Sequence, residues 1–309
     1  MKKIFLFLIA LVFYTTSVVA VEKFKFKYNF HENLPKKWIT EFKNIMNIVQ
    51  EEFPIDENTN NIVKLAISRN KPFNIYLWLD TNKDPFPEFK KNGKKFIMNE
   101  SAIMGDGEVN TWMQMKVHKQ DLREYISMSY YVVVHEYFHI YQQALSKLLR
   151  KSLSDYNPKW LVEGGAKVLE EIYLRQYYKK YLLKNDLKRS ENWSVKRVSK
   201  EPKIYEKYNT SPQKKGFDIN YSGSAFIVLA LVNELKKNNI SEEKAFELVF
   251  REFWIQRAIQ PQGWNWQPSF QNTFGMSHDE FYERLSKYKR KDLKKILPSK
   301  TLKIQDIFS

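Results

Sequence analysis

His135 and His139 stand four residues apart in VVVHEYFHIYQ, Val132 to Gln142, and Glu136 directly follows the first of them. The chain has only five histidines, so the spacing asks for an explanation. On a helix, residues four apart lie on one face, one turn above the other. Two imidazoles placed this way can reach a single metal ion. Glu136 lies about 100° around the helix, where its carboxylate stands beside such an ion and can serve as a proton acceptor. Two ligands and a base on one rod are the parts of metal-assisted hydrolysis. The competing reading is a buried helix whose histidines bond to main chain, and the three valines before His135 make this helix core-like in any case.

A catalytic metal needs a third protein ligand and an open position. The chain has no cysteine, so that ligand must be His, Asp, Glu or main chain. NPKWLVEGGAKVLEE supplies Glu163 early in a second helix, which Asn157-Pro158 starts sharply. Gly164 and Gly165 follow it. Each costs a helix about 1 kcal/mol relative to alanine, which a close approach to a neighbouring helix or a substrate would account for. Taken alone, Glu163 also suits a first-turn glutamate that favours the helix N-terminus.

His135-Glu136-x-x-His139 followed by Trp160-Leu161-x-Glu163-Gly164-x-Ala166 resembles the gluzincin metallopeptidases, and is most similar to the branch whose second helix reads P-x-W-L-x-E-G-x-A. The resemblance implies one catalytic Zn2+ held by His135, His139 and Glu163, with Glu136 as general base. It implies a zincin-like fold, and a sheet-edge strand around GDGEVN (105–110) that pairs with extended substrate. It maps a reaction-centre tyrosine to Tyr221 in YSGSAF. The similarity covers roughly residues 95–290, with specificity only in the two metal motifs. The chain also departs from the pattern. Lys167 stands four after Glu163, where some branches place an acidic residue that orients a metal histidine. GEVN is not the G-x-M-E-N of aminopeptidases.

The elements that must position these groups follow from periodicity. KFKFKYNF alternates as a strand. LPKKWITEFKNIMNIVQEEF carries Trp38, Phe42, Ile45, Met46 and Val49 at helical spacing. PFNIYLWLD has strand composition, and KKFIMNESAIMGDGEVNTWMQMKV reads as two strands around a Gly-Asp-Gly turn. From about residue 121 the pattern turns helical: 121–151 with a break near Ser127, then 158–183, 220–237 and 241–253. Ser277 and Glu280 form a capping-box signature for a later helix. The expected class is α+β, with a small N-terminal β-sheet lobe packed on a mainly helical lobe. The expected division is a signal peptide at 1–20, a region of unassigned role at 21–94, a catalytic domain at 95–298 and a tail at 299–309.

Hydrophobic residues make up 43% of the chain, enough for a sizeable core and against global disorder. MKKIFLFLIALVFYTTSVVA has a basic start, an apolar run at 4–14 and small residues at Val18 and Ala20, the make-up of a secretory signal. Export to periplasm or medium is the expectation. The run Ala225–Val232 is too short to span a bilayer, so no membrane span is expected after signal cleavage. Net charge is +16, with basic residues crowded at 179–203 and 287–295. An acidic partner such as nucleic acid or an anionic envelope surface is one reading; a solvated lysine-rich face is the favoured one, since no nucleic-acid motif accompanies the charge. His31, His118 and His278 are expected to be structural or surface residues. The functional expectation is an exported zinc metallopeptidase acting on protein or peptide. The alternative is a non-catalytic, zinc-stabilised binding module that offers a basic surface to an anionic partner.

Overall fold

The computed structural model describes residues 24–53, 73–79, 90–91, 94–95, 102–106, 111–117, 127–146, 157–183, 187, 198–207, 219–259 and 265–309. The signal-peptide expectation and His118 lie outside them.

Among the described residues the chain is mostly helical, with a four-stranded mixed sheet and a separate two-stranded antiparallel pair, residues 90–91 with 94–95. Strands β1 (Phe26–Phe30), β2 (Phe73–Leu79), β3 (Ala102–Asp106) and β4 (Thr111–Val117) are ordered β1-β2-β4-β3. β1 and β2 run parallel, as do β2 and β4, while β3 returns antiparallel to β4 at the edge. Asn74 of β2 pairs with Trp112 of β4, so strands from both sides of residue 94 share one sheet. Gly105 and Asp106 pair with Trp112 and Thr111. The first two residues of the expected Gly-Asp-Gly turn thus belong to the ladder, and Gly107 lies outside the described residues.

Helix α1 (Lys36–Glu52) starts after Pro35 and buries Trp38, Phe42, Ile45, Met46 and Val49. These are the five residues at helical spacing; α1 packs on helix α2 (Ser127–Ser146), and Phe42 meets Tyr28 and Phe30 of β1. Val133, Val134, Tyr137, Phe138, Tyr141 and Leu145 of α2 are fully buried, so α2 runs through the core. β3 packs beside it.

Helix α3 (Lys159–Tyr173) follows Asn157-Pro158 and is buried along nearly its whole length. It continues as a π-helical turn, Leu174–Tyr178, and stops where Lys179 adopts a left-handed backbone (φ 56°). Helix α4 (Ile219–Lys237) lies across α3, and the two make the most extensive helix pair of the fold. The approach is close because Gly164 has no side chain. A Cβ there would overlap the Ser224 carbonyl and stand 3.0 Å from Ala225 N. Gly223 of α4 makes room for a different neighbour: a Cβ there would run into the ring of Tyr205, in the 3-10 turn Pro202–Glu206.

Helices α5 (Glu242–Glu247), α6 (Phe253–Ile259), α7 (Gln267–Phe274) and α8 (His278–Ser286) complete the body. A π turn, Leu248–Glu252, joins α5 to α6. Ser277 caps α8 by accepting from Glu280 N at 3.1 Å. The tail is part of the core: Leu302, Ile304 and Ile307 are buried, and Phe308 packs on Phe53 and Tyr141.

Candidate metal centre

His135 and His139 sit one turn apart on α2, with ring centroids 4.7 Å apart. Glu163 comes from the second turn of α3. One ligand atom from each lies within 4.8 Å of the others, and all three residues are buried. Glu163 Oε2 is 3.2 Å from His135 Nε2 and 3.5 Å from His139 Nε2. Tetrahedral ligands at zinc-like bond lengths stand about 3.4 Å from one another. The donor set and its spacing therefore fit a divalent ion such as zinc, with two neutral nitrogens and one carboxylate oxygen.

The far side of each imidazole is held. His135 Nδ1 donates to Glu170 Oε2 at 2.8 Å, and His139 Nδ1 to Gln142 Oε1 at 2.8 Å. A ring whose Nδ1 is occupied in this way presents Nε2 to a metal, and the partner fixes both tautomer and orientation. Gln142 is fixed in turn through its Nε2, which donates to Val162 O at 3.3 Å. Glu170 is fixed by Lys167, whose Nζ is 3.1 Å from Glu170 Oε1. Lys167, at the position where the resemblance would place an acidic residue, supports the orienting carboxylate from one turn away.

Charge follows this geometry in the metal-free chain. Burial opposes a charge on His135. Hydrogen bonds to Glu163 and Glu170, with the Glu170 and Glu136 charges, outweigh it and push its pKa up to about 10. Burial would likewise raise Glu163, but the His139 and His135 rings hold its carboxyl well below the usual range. Glu136 is buried beside the pair, and desolvation pushes its carboxyl up despite the two imidazoles. A raised carboxyl is the direction a general base working near neutrality requires.

Tyr221, on α4, is half-buried and presents its ring edge-on to His135, with centroids 5.7 Å apart. The Gly164–Ser224 contact presses α4 onto α3 three residues from Tyr221, which carries the tyrosine to the site. Lys159, one turn before Glu163, is buried with its Nζ 5.8 Å from the centre of the Tyr221 ring.

All five residues expected from the motifs thus gather in one place. Glu170, Gln142 and Lys159 were not foreseen. The first two carried a readable signal: Glu170 is seven residues, about two turns, after Glu163, and Gln142 is three after His139, both on the ligand faces of their helices. His278 packs between Trp266 and Tyr282, and His31 Nδ1 accepts from Asn33 N; neither belongs to the site. No family model, curated protein or solved structure matches this chain.

Proposed function

We propose that this protein is an exported, zinc-dependent peptidase of zincin-like architecture, and that the centre on α2 and α3 hydrolyses peptide bonds. The observation that carries the reading is the paired grip on the two imidazoles. Glu170 and Gln142 hold the Nδ1 atoms, so both Nε2 atoms converge on Glu163. A purely structural helix pair has no need of that convergence, nor of a buried glutamate beside it.

His135, His139 and Glu163 would hold the ion, which when bound supplies a Lewis acid for the scissile carbonyl and an acidified water. Glu136 accepts the proton of the attacking water on its carboxylate and delivers it to the departing amine. Tyr221 donates its hydroxyl to the carbonyl oxygen as negative charge builds there. Among the described residues β3 is the edge strand of the sheet and lies next to α2, where an extended peptide could pair by main-chain hydrogen bonds. A polypeptide substrate matches that edge better than a small compact one.

The test is hydrolysis of a mixed peptide pool by purified protein loaded with zinc, beside Glu136→Gln. Removal of a general base costs about 100-fold or more, so fragment release should fall by at least that much while zinc stays bound. Full turnover in Glu136→Gln, or no cleavage of any peptide by zinc-loaded wild type, would overturn the proposal.

A further inference from the structure

The segments that flank the two basic stretches, 175–176 before the first and 298–305 after the second, are tied together although more than a hundred residues separate them in sequence. Arg175 Nη1 donates to Pro298 O at 2.7 Å, Ile304 N donates to Gln176 Oε1 at 2.9 Å, and Gln176 Nε2 donates to Gln305 Oε1 at 2.7 Å. The π turn after α3 therefore abuts the closing segment at 298–305 through Arg175 and Gln176. Upstream, the same segment is anchored to α4 and α5. Tyr288 Oη donates to Glu234 at 2.6 Å, and Ser299 N donates to Glu242 at 3.2 Å.

Along 287–303 the sequence alternates in purpose. Tyr288, Leu293, Ile296, Pro298 and Leu302 point inward and are buried, while every basic residue is exposed. The stretch holds seven lysines and one arginine against a single acid, Asp292. Lys289, Lys291, Lys294, Lys295, Lys300 and Lys303 make no ion pair among the described residues. At the adjoining end, Lys179 and Lys180 are flanked by Tyr177 and Tyr181, the two exposed large hydrophobic residues among those described, at 36% and 46%.

We infer that this face docks on an anionic lipid surface. The chemistry favours a bilayer over other polyanions on three counts. Lysine is a compact point charge suited to diffuse attraction, whereas base or phosphate readout favours the arginine fork, and only one arginine is present. Tyrosine beside lysine is the pairing found at the headgroup level of membranes. A stacking platform for nucleic-acid bases needs successive free aromatic faces. Here Tyr177 is bound through its hydroxyl to Glu52 and packed on Tyr173, which leaves Tyr181 alone. Since the apolar residues of 287–303 face inward, the contact is electrostatic adhesion, not insertion. No helix among the described residues is long and apolar enough to cross a membrane. The inference is independent of the chemistry proposed for the metal centre.

The experiment is co-sedimentation of the full chain with phosphatidylcholine vesicles and with vesicles containing about a third phosphatidylglycerol. The apolar run at 4–14 would partition into both kinds alike, so the difference between them is the reading. Each basic residue near such a surface tightens binding about fivefold. Lys289, Lys291, Lys294 and Lys295 changed together to Gln should therefore weaken binding to the anionic vesicles by roughly a hundredfold or more, with an unchanged melting midpoint because all four are exposed. Raised salt should weaken wild type in the same direction. Equal binding to the two vesicle types, or anionic-vesicle binding that survives the four substitutions, would overturn the inference. So would tighter retention on duplex DNA or RNA than on anionic vesicles.

Discussion

Glu170 donates nothing to a metal, yet it stands 2.8 Å from His135 Nδ1 while Glu163 faces the Nε2 of the same ring at 3.2 Å. The two carboxylates hold one imidazole from opposite sides. Loss of such an orienting partner lowers metal affinity about 10- to 100-fold. Glu170→Gln, which keeps an acceptor, should lose less than Glu170→Ala. Chelator competition measures both, and unchanged affinity in Glu170→Ala would remove Glu170 from the account.

The two helix glycines should respond in opposite ways. Gly164→Ala drives a Cβ into the Ser224 carbonyl, a backbone atom that cannot turn aside. Overpacking of this kind costs about 2–3 kcal/mol, a fall in melting midpoint of roughly 5 °C or more. At Gly165 the nearest atom is Phe138 Cε1 at 3.4 Å. Gly165→Ala should be neutral, or stabilising by up to about 1 kcal/mol through helix propensity. Thermal unfolding separates them, and equal midpoints for the two variants would contradict the close crossing of α3 and α4.

Metal removal should cost stability as well as activity. An ion that binds only the folded chain adds about 4 kcal/mol when free metal is a thousand times its Kd. Dialysis against a chelator should lower the melting midpoint, and added zinc should restore it. In Glu163→Ala the chelator should have little further effect. A chelator shift as large as that of wild type in this variant would place the metal elsewhere.

Acid should weaken one surface lock far from the site. Burial works against the charge on Glu234, but the Lys237 ammonium at 2.6 Å, the Tyr288 hydroxyl and the Arg284 guanidinium hold its carboxyl below the usual range. A depressed carboxyl contributes stability above its unfolded pKa of about 4.3, and that contribution disappears as pH falls through the lower folded value. Wild type should therefore exceed Glu234→Gln in stability at neutral pH, and the two should converge in acid. Denaturant unfolding at several pH values reads the difference, and a gap that persists well below the folded value would contradict the assignment.

The site was legible where its logic is local. Two histidines at four-residue spacing announce one helix face, and Glu163 stood out through its Trp-Leu and Gly-Gly flanks. Tyr221 was carried by resemblance alone, and its position depends on Gly164 and Ser224 meeting across two helices. Glu170 is not legible from the family pattern, whose acidic position four after Glu163 is Lys167 here; the carboxylate that holds His135 is a further turn along. Helix α1 was readable from five apolar residues at 3.6 spacing. The parallel pairing of β1, β2 and β4 was not, because strand order is decided by contacts between segments dozens of residues apart. The same holds for the basic face: Arg175 and Gln176, just before one basic stretch, meet 298–305, just after the other, a relation that no local pattern announces.

The most direct test of the metal centre is zinc per chain in purified protein, measured together with Glu163→Ala, His139→Ala and Glu136→Gln. The account predicts about one ion in wild type and in Glu136→Gln, with marked loss in the other two, because three ligands close a site and the base is not among them. Wild type that holds no zinc after reconstitution, or a Glu163→Ala variant that holds as much as wild type, would contradict it.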